Sequence, residues 1–174
     1  MKLNSSKLRR MENVPKTTIS KKGIYIVLDN VLDTYNVGAV FRLADAVTAE
    51  KIFLCGHTDT PPNSRIKKSA INTTDLTAWA HFDQTTDALK SLREEVPGIK
   101  ILAIEQNPSS IDYTKANYSY PVALIIGNET HGVSDDVMKL CDQIVELPMF
   151  GVNVSLNTMV SLAIVLYKAL EQNH

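Results

Sequence analysis

The stretch VALIIGNETHGVSDD, Val122 to Asp136, decides the fold. Its first five residues are apolar without interruption, the pattern of a strand buried on both faces in a parallel sheet. The run then breaks at Gly127-Asn128-Glu129-Thr130-His131-Gly132, where two glycines five apart allow a tight turn or a close backbone approach. Open α/β sheets bind ligands at the carboxyl ends of their strands, and Glu129 stands at such an end. Ser134 then reads as an N-cap, with Asp135 and Asp136 favourable in the first turn of a short helix.

Outward from this stretch, strand-like and helix-like segments alternate. IYIVLD (24–29), KIFLC (51–55), AWAHF (78–82), KILAIE (100–105) and QIVELP (143–148) read as further strands. Helices are expected from Asn36 to Val47, near 65–71, across 85–95 and from Ser155 to Leu170. This order predicts an α/β domain with a mainly parallel sheet flanked by helices. At 174 residues the chain fits one domain, large enough to bury roughly 70% of its unfolded surface. The last helix, SLNTMVSLAIVLYKAL, carries no charge until Lys168 and is apolar nearly all round. One sheet face covers only one side of it, so a homodimer through this helix is expected.

The net charge of −1 conceals an asymmetry: residues 1–22 hold seven basic groups and one acid, leaving 11 basic and 18 acidic residues for the remainder. A basic arm on an acidic body suits a polyanion through phosphate contacts and counterion release. A solvated, poorly ordered terminus explains the same composition equally well, and a mitochondrial targeting segment fits less, given Glu12 and no amphipathic repeat. Cys55 and Cys141 lie far apart, and no secretory segment opens the chain. Both cysteines therefore read as buried hydrophobes in a reduced, cytoplasmic setting. The longest apolar stretch, Val154 to Tyr167, is too short to span a bilayer, so no membrane association is expected. Histidines and cysteines show no metal-ligand spacing, and no metal is expected. Dinucleotide-binding, P-loop and nucleophile-elbow motifs are all missing.

Three polar constellations sit in apolar settings. In NVGAVFRLADAV (36–47), Val37, Val40, Phe41, Ala44 and Val47 share one helical face and Asn36 reads as the N-cap. Arg42 points away from that face. An exposed pair with Asp45 is the simpler account of it, and a guanidinium gripping phosphate the functional one. In the opening stretch Glu129 either caps backbone amides or serves a ligand. In ELPMFGVNVSLN (146–157), Ser155 reads as the cap of the last helix, whereas Asn157 is an amide that needs a partner.

Taken in order, NVGAVFRLADA, LIIGNETHGVS and LPMFGVNVSLN resemble the three motifs of the SpoU/TrmH family of RNA ribose methyltransferases, in the SPOUT superfamily. The resemblance runs from about residue 23 to the end, leaving the arm of residues 1–22 outside a SPOUT domain of residues 23–174. The chain departs from the family at Thr48-Ala49, where glycine is usual, and at Thr158-Met159, where a serine or valine run is usual. The resemblance implies a deep C-terminal trefoil knot (an α/β knot), an obligate dimer and an S-adenosylmethionine pocket formed by the knot. General topology rules alone exclude such a knot.

By the same resemblance the reaction is methyl transfer to a ribose 2′-OH of RNA. Arg42 anchors phosphate and assists the hydroxyl, Asn36 positions Arg42 or the ribose, Glu129 orders the loop and Asn157 completes the cluster. Gly127 lets the backbone approach the cofactor. Ala103, Ile104, Glu105, Ile144, Leu147, Met149, Ser155 and Leu156 complete the cofactor contacts. RNA contacts are expected from Lys7, Arg9, Arg10, Lys21 and Lys22 of the arm and from Arg65, Lys67 and Lys68. With no separate RNA-binding domain ahead of the core, transfer RNA is favoured over ribosomal RNA. A catalytically idle RNA-binding factor on the same fold is the alternative, against which Asn36, Arg42, Glu129, Ser155 and Asn157 stand together.

Overall fold

The computed structural model describes residues 23–173, together with Ser6. The basic arm, with Lys7, Arg9, Arg10, Lys21 and Lys22, therefore lies outside the described residues. In chain order the elements are β1 (Ile24–Asp29), α1 (Thr34–Ala46), β2 (Lys51–Cys55), α2 (Ser64–Ala70), β3 (Ala78–Phe82) and α3 (Thr85–Glu95). They continue with β4 (Lys100–Ile104), β5 (Ile111–Asp112), β6 (Val122–Gly127), α4 (Asp135–Met138), β7 (Gln143–Glu146) and α5 (Thr158–Gln172). The seven strands form one sheet in the order β3-β2-β1-β6-β4-β7-β5, and every pairing is parallel.

The wholly apolar run is the centre of this sheet. All six residues of β6 are buried, held between β1 and β4. Alternation then divides the core between two faces. Ile24, Ile26, Leu28, Val122, Leu124 and Ile126 pack with α1, α2 and α5, while Val27, Ala123 and Ile125 pack with α3 and α4. The two-residue β5 was not expected, because a strand that short carries no periodicity.

Two helices begin elsewhere than expected. Asp33 caps α1, its carboxylate accepting from Tyr35 N at 2.8 Å. Asn36 is therefore not the cap but a buried residue of the first turn, 6% exposed. Likewise Asn157, not Ser155, caps α5, accepting from Met159 N at 3.0 Å and Val160 N at 3.3 Å. Ser134 does occupy the cap position of α4, but its side chain makes no capping bond.

Packing explains other sequence choices. A Cβ at Gly38 would lie 1.9 Å from Ser69 Oγ and 2.5 Å from Ile66 O, so glycine lets α1 and α2 approach closely. Thr48, at one of the two departures from the family, holds φ at 55°, a left-handed conformation that favours glycine. Its buried hydroxyl also has no hydrogen-bond partner among the described residues. On α5, Leu162, Val165, Leu166 and Ala169 are buried, whereas Val160 and Tyr167 on the opposite side are exposed. Among the described residues no helix is long and apolar enough to cross a membrane.

Candidate active site

Residues of all three polar constellations meet at the carboxyl edge of the sheet. Asn128 opens a closed turn: its N–H and C=O pair with Gly132, and its Oδ1 accepts from Thr130 N and His131 N at 2.9 and 3.0 Å. This Asx turn presents Glu129 toward the start of α1. Glu129 Oε1 accepts from Asp33 N and from Asn36 Nδ2, each at 3.0 Å, and Oε2 accepts from Leu32 N at 3.1 Å. Asn157 Nδ2 then donates to Asn36 Oδ1 at 3.1 Å. Asn36, Glu129 and Asn157, distant in sequence, thus form one continuous network, and the amide of Asn157 has the partner that it required.

Burial pushes the Glu129 carboxyl upward, but the bonds from the Asn36 side chain and from the backbone amides of Leu32, Glu129 and Asp33 outweigh it. The carboxyl is held below its ordinary value. A depressed folded-state pKa contributes stability that is present above the unfolded value, about 4.3, and lost as pH falls through the folded one. Acidification from pH 7 toward pH 3 is accordingly expected to lower the melting temperature more for the wild-type chain than for Glu129→Gln. Parallel slopes in thermal scans would refute that.

Beside this network opens a cleft of about 300 Å³. Its wall includes Ile104, Glu105, Gly127, Leu147, Met149, Ser155 and Leu156, seven of the expected cofactor contacts, as well as Glu129 and Asn157. Ala103 and Ile144 do not line it. Strand alternation turns both side chains to the opposite face of the sheet, into the α3–α4 core, while their neighbours Ile104 and Val145 reach the cleft. Not anticipated from sequence were Gln106, Asn128, His131, Gly132, Val145, Glu146, Thr158 and Ser161, which also line it. The N-E-T-H-G turn was a usable signal for Asn128 and His131.

The geometry adds detail at three of the expected residues. A Cβ at Gly127 would lie 2.1–2.2 Å from backbone atoms of Gly132 and Val133, so this glycine admits the chain's own loop as well as lining the cleft. Glu105 braces the same loop: its Oε2 accepts from Val133 N and its Oε1 from Gln106 N, both at 2.8 Å. Gln106 in turn donates from Nε2 to the carbonyl of Val154, tying the segment after β7 to the end of β4. Arg42 does not join the Asn36–Glu129–Asn157 network. It lies on the exposed side of α1, and no Arg42–Asp45 ion pair occurs among the described residues. Arg65, Lys67 and Lys68 are exposed on α2, which packs against α1.

Burial pushes the thiols of Cys55 and Cys141 up to about 12, so neither is a thiolate at neutral pH. Among the described residues no group of three or more His, Cys, Asp or Glu is placed to hold a metal ion.

A parallel α/β sheet with a loop-walled cleft at its carboxyl edge defines a ligand-binding α/β domain. The model described as the SpoU rRNA Methylase family matches residues 23–167, and the chain belongs to that family. It is 28% identical over 170 residues to the tRNA (guanosine(18)-2′-O)-methyltransferase of Aquifex aeolicus (strain VF5), covering 95% of this chain and 76% of that one. It is also 28% identical over 150 residues to the enzyme of the same description from Escherichia coli (strain K12), covering 84% of this chain but 62% of the relative. The AdoMet-bound rRNA methyltransferase of Sinorhizobium meliloti superimposes with a TM-score of 0.80 at 26% identity, over 95% of this chain and 60% of that one. The chain thus spans three-fifths to three-quarters of the length of these relatives.

Proposed function

We propose that the protein is an S-adenosylmethionine-dependent RNA methyltransferase that modifies a ribose 2′-OH, acting in the cytoplasm as a homodimer. The observation that carries this reading is the convergence of Asn36, Glu129 and Asn157 beside one cleft. The cleft also suits the cofactor. Ile104, Leu147, Met149 and Leu156 offer apolar surface, and its lining among the described residues includes Glu105, Glu129 and Glu146 but no lysine or arginine. Such a wall favours a cation over an anion.

When bound, the cofactor supplies a methyl group already activated by its sulfonium. The chain's own residues then have to orient the ribose and ease loss of its proton. Glu129 is committed as acceptor to three donors. It orders the loop and, through Asn36, fixes Asn157 at the start of α5. Arg42 is effectively always protonated, so its role is to anchor the phosphate and stabilise developing negative charge on the ribose oxygen. In the homodimer the apolar outer side of α5, with Val160 and Tyr167, is covered by the partner together with the exposed side of α1 that bears Tyr35 and Arg42. Arg42 is thereby brought to a site built from both protomers.

The knot belongs to the same reading. Residues 105–121 leave β4, pass beyond β7 to pair as β5, and return to β6. The chain after β7 then comes back to pack α5 against β6 and α1, which supports threading through that loop. The arm of residues 1–22, and the exposed Arg65, Lys67 and Lys68 of the SPOUT domain (residues 23–174), serve as RNA contacts. Transfer RNA is the favoured substrate, supported by the Aquifex relative over 95% of this chain; ribosomal RNA is the alternative. Incubation with tritiated S-adenosylmethionine and separated RNA fractions is expected to label transfer RNA at a 2′-O position. Cofactor binding without label in any RNA would favour an idle binding factor instead.

A further inference from the structure

Behind the loop that carries Glu129 lies a desolvated carboxylate outside the cluster described above. Asp29 ends β1 and is 1% exposed. Its Oδ1 accepts from Asn30 Nδ2 at 3.0 Å and from Thr85 Oγ1 at 2.5 Å, and its Oδ2 accepts from Ser134 N at 2.9 Å and Ser134 Oγ at 2.8 Å. No lysine or arginine pairs with it among the described residues. A buried carboxylate without a countercharge is costly and persists only where hydrogen bonds satisfy it.

The placement of these bonds indicates what the carboxylate holds. Ser134 stands at the cap position of α4 yet makes no capping bond, because its hydroxyl turns to Asp29. The next residue, Asn30, adopts φ 55° and its carbonyl accepts from Asn128 Nδ2 at 2.9 Å. Two successive residues at the end of β1 therefore grip the two ends of the 128–134 loop, Asn30 at its entry and Asp29 at its exit. Glu129 lies between those anchors and Gly132 forms part of the cleft wall.

We propose that Asp29 is a positioning residue for methyl transfer. Through Ser134 it fixes the exit of the loop, so that Glu129 and the wall at Gly132 keep the geometry that the reaction needs. The inference rests on the function proposed above. Loss of the grip displaces the loop slightly, and small misplacements at a reacting centre are costly in rate.

The test uses the full chain with Asp29→Asn, Ser134→Ala and the double substitution. Three quantities are read: kcat and KM for RNA methylation, calorimetric affinity for S-adenosylhomocysteine, and melting temperature. Each single variant is expected to lower kcat about tenfold or more while KM for RNA changes less than about threefold. Affinity for S-adenosylhomocysteine should weaken several-fold. The double variant should be no worse than Asp29→Asn alone, because both changes act through one contact. A purely structural role predicts a lower melting temperature with kcat and affinity unchanged in the folded protein; that result, or multiplicative losses in the double variant, overturns the proposal. If Asp29→Asn fails to fold, Ser134→Ala decides, and wild-type kcat and affinity in that variant overturn it. Wild-type protein that transfers no methyl group refutes the proposed function instead. The affinity for S-adenosylhomocysteine then still decides whether Asp29 positions the cleft.

Discussion

Arg42→Ala is expected to reduce RNA methylation by at least about 100-fold, the scale seen when one group stabilising developing charge is removed. Affinity for S-adenosylmethionine should stay within about twofold, because Arg42 does not line the cleft of its own protomer. The side chain stands on the exposed side of α1 without an ion pair among the described residues. Its removal therefore strands no partner within its own protomer, and the melting temperature should hold. Arg42→Lys keeps the charge but loses the planar fork that grips phosphate in two places, so activity is expected to remain low. Single-turnover transfer of tritiated methyl groups and calorimetry on the same samples check both halves. An Arg42→Ala chain that methylates at the wild-type rate would remove Arg42 from the mechanism.

Gly127→Ala acts by a different route. The added methyl would meet the carbonyl carbon and oxygen of Gly132 at 2.1 and 2.2 Å and Val133 N at 2.2 Å. Those are backbone atoms of a segment held by Glu105 and Asp29, so they cannot yield as the tip of a flexible side chain can. Relief requires the 128–134 loop to move away from β6, carrying Glu129 off Leu32, Asp33 and Asn36. Overpacking of this kind costs about 1–3 kcal/mol, or several degrees in melting temperature for a chain of this size. Cofactor binding is expected to be lost with it. Wild-type affinity together with an unchanged melting temperature would show that the loop has a second acceptable position.

The sheet was legible wherever a strand was long enough to carry a pattern. Five apolar residues closed by a glycine read as a strand buried on both faces, and β6 is that strand. β5 escaped because Ile111-Asp112 offers no alternation to read. The cluster was legible as residue types but not as positions. Asn36 and Ser155 looked like helix caps because each precedes an apolar periodic run, yet Asp33 and Asn157 stand closer to the true starts and took the role. Capping chemistry cannot choose between two good candidates a few residues apart; the tertiary partner does, and here it is Glu129 that draws Asn36 inward. Asp29 was unreadable for the opposite reason. As the final residue of IYIVLD it resembles an ordinary polar strand end, and only the return of Ser134, 105 residues later, makes it a buried anchor.

The order of strands also constrains how the chain can be made. β1 and β4 each lie against β6, and β4 and β5 each lie against β7, so every one of these edges is exposed on a growing polypeptide until its later neighbour emerges. Pairing β1 with β6 closes an excursion of nearly a hundred residues, the kind of non-local contact that makes assembly slow. β1, β2 and β3 can pair among themselves early, but until Val122–Glu146 has left the ribosome the edges of β1, β4 and β5 that face β6 and β7 stay open to other chains. The central pairings of the sheet are therefore completed only late in synthesis, when β6 and β7 emerge.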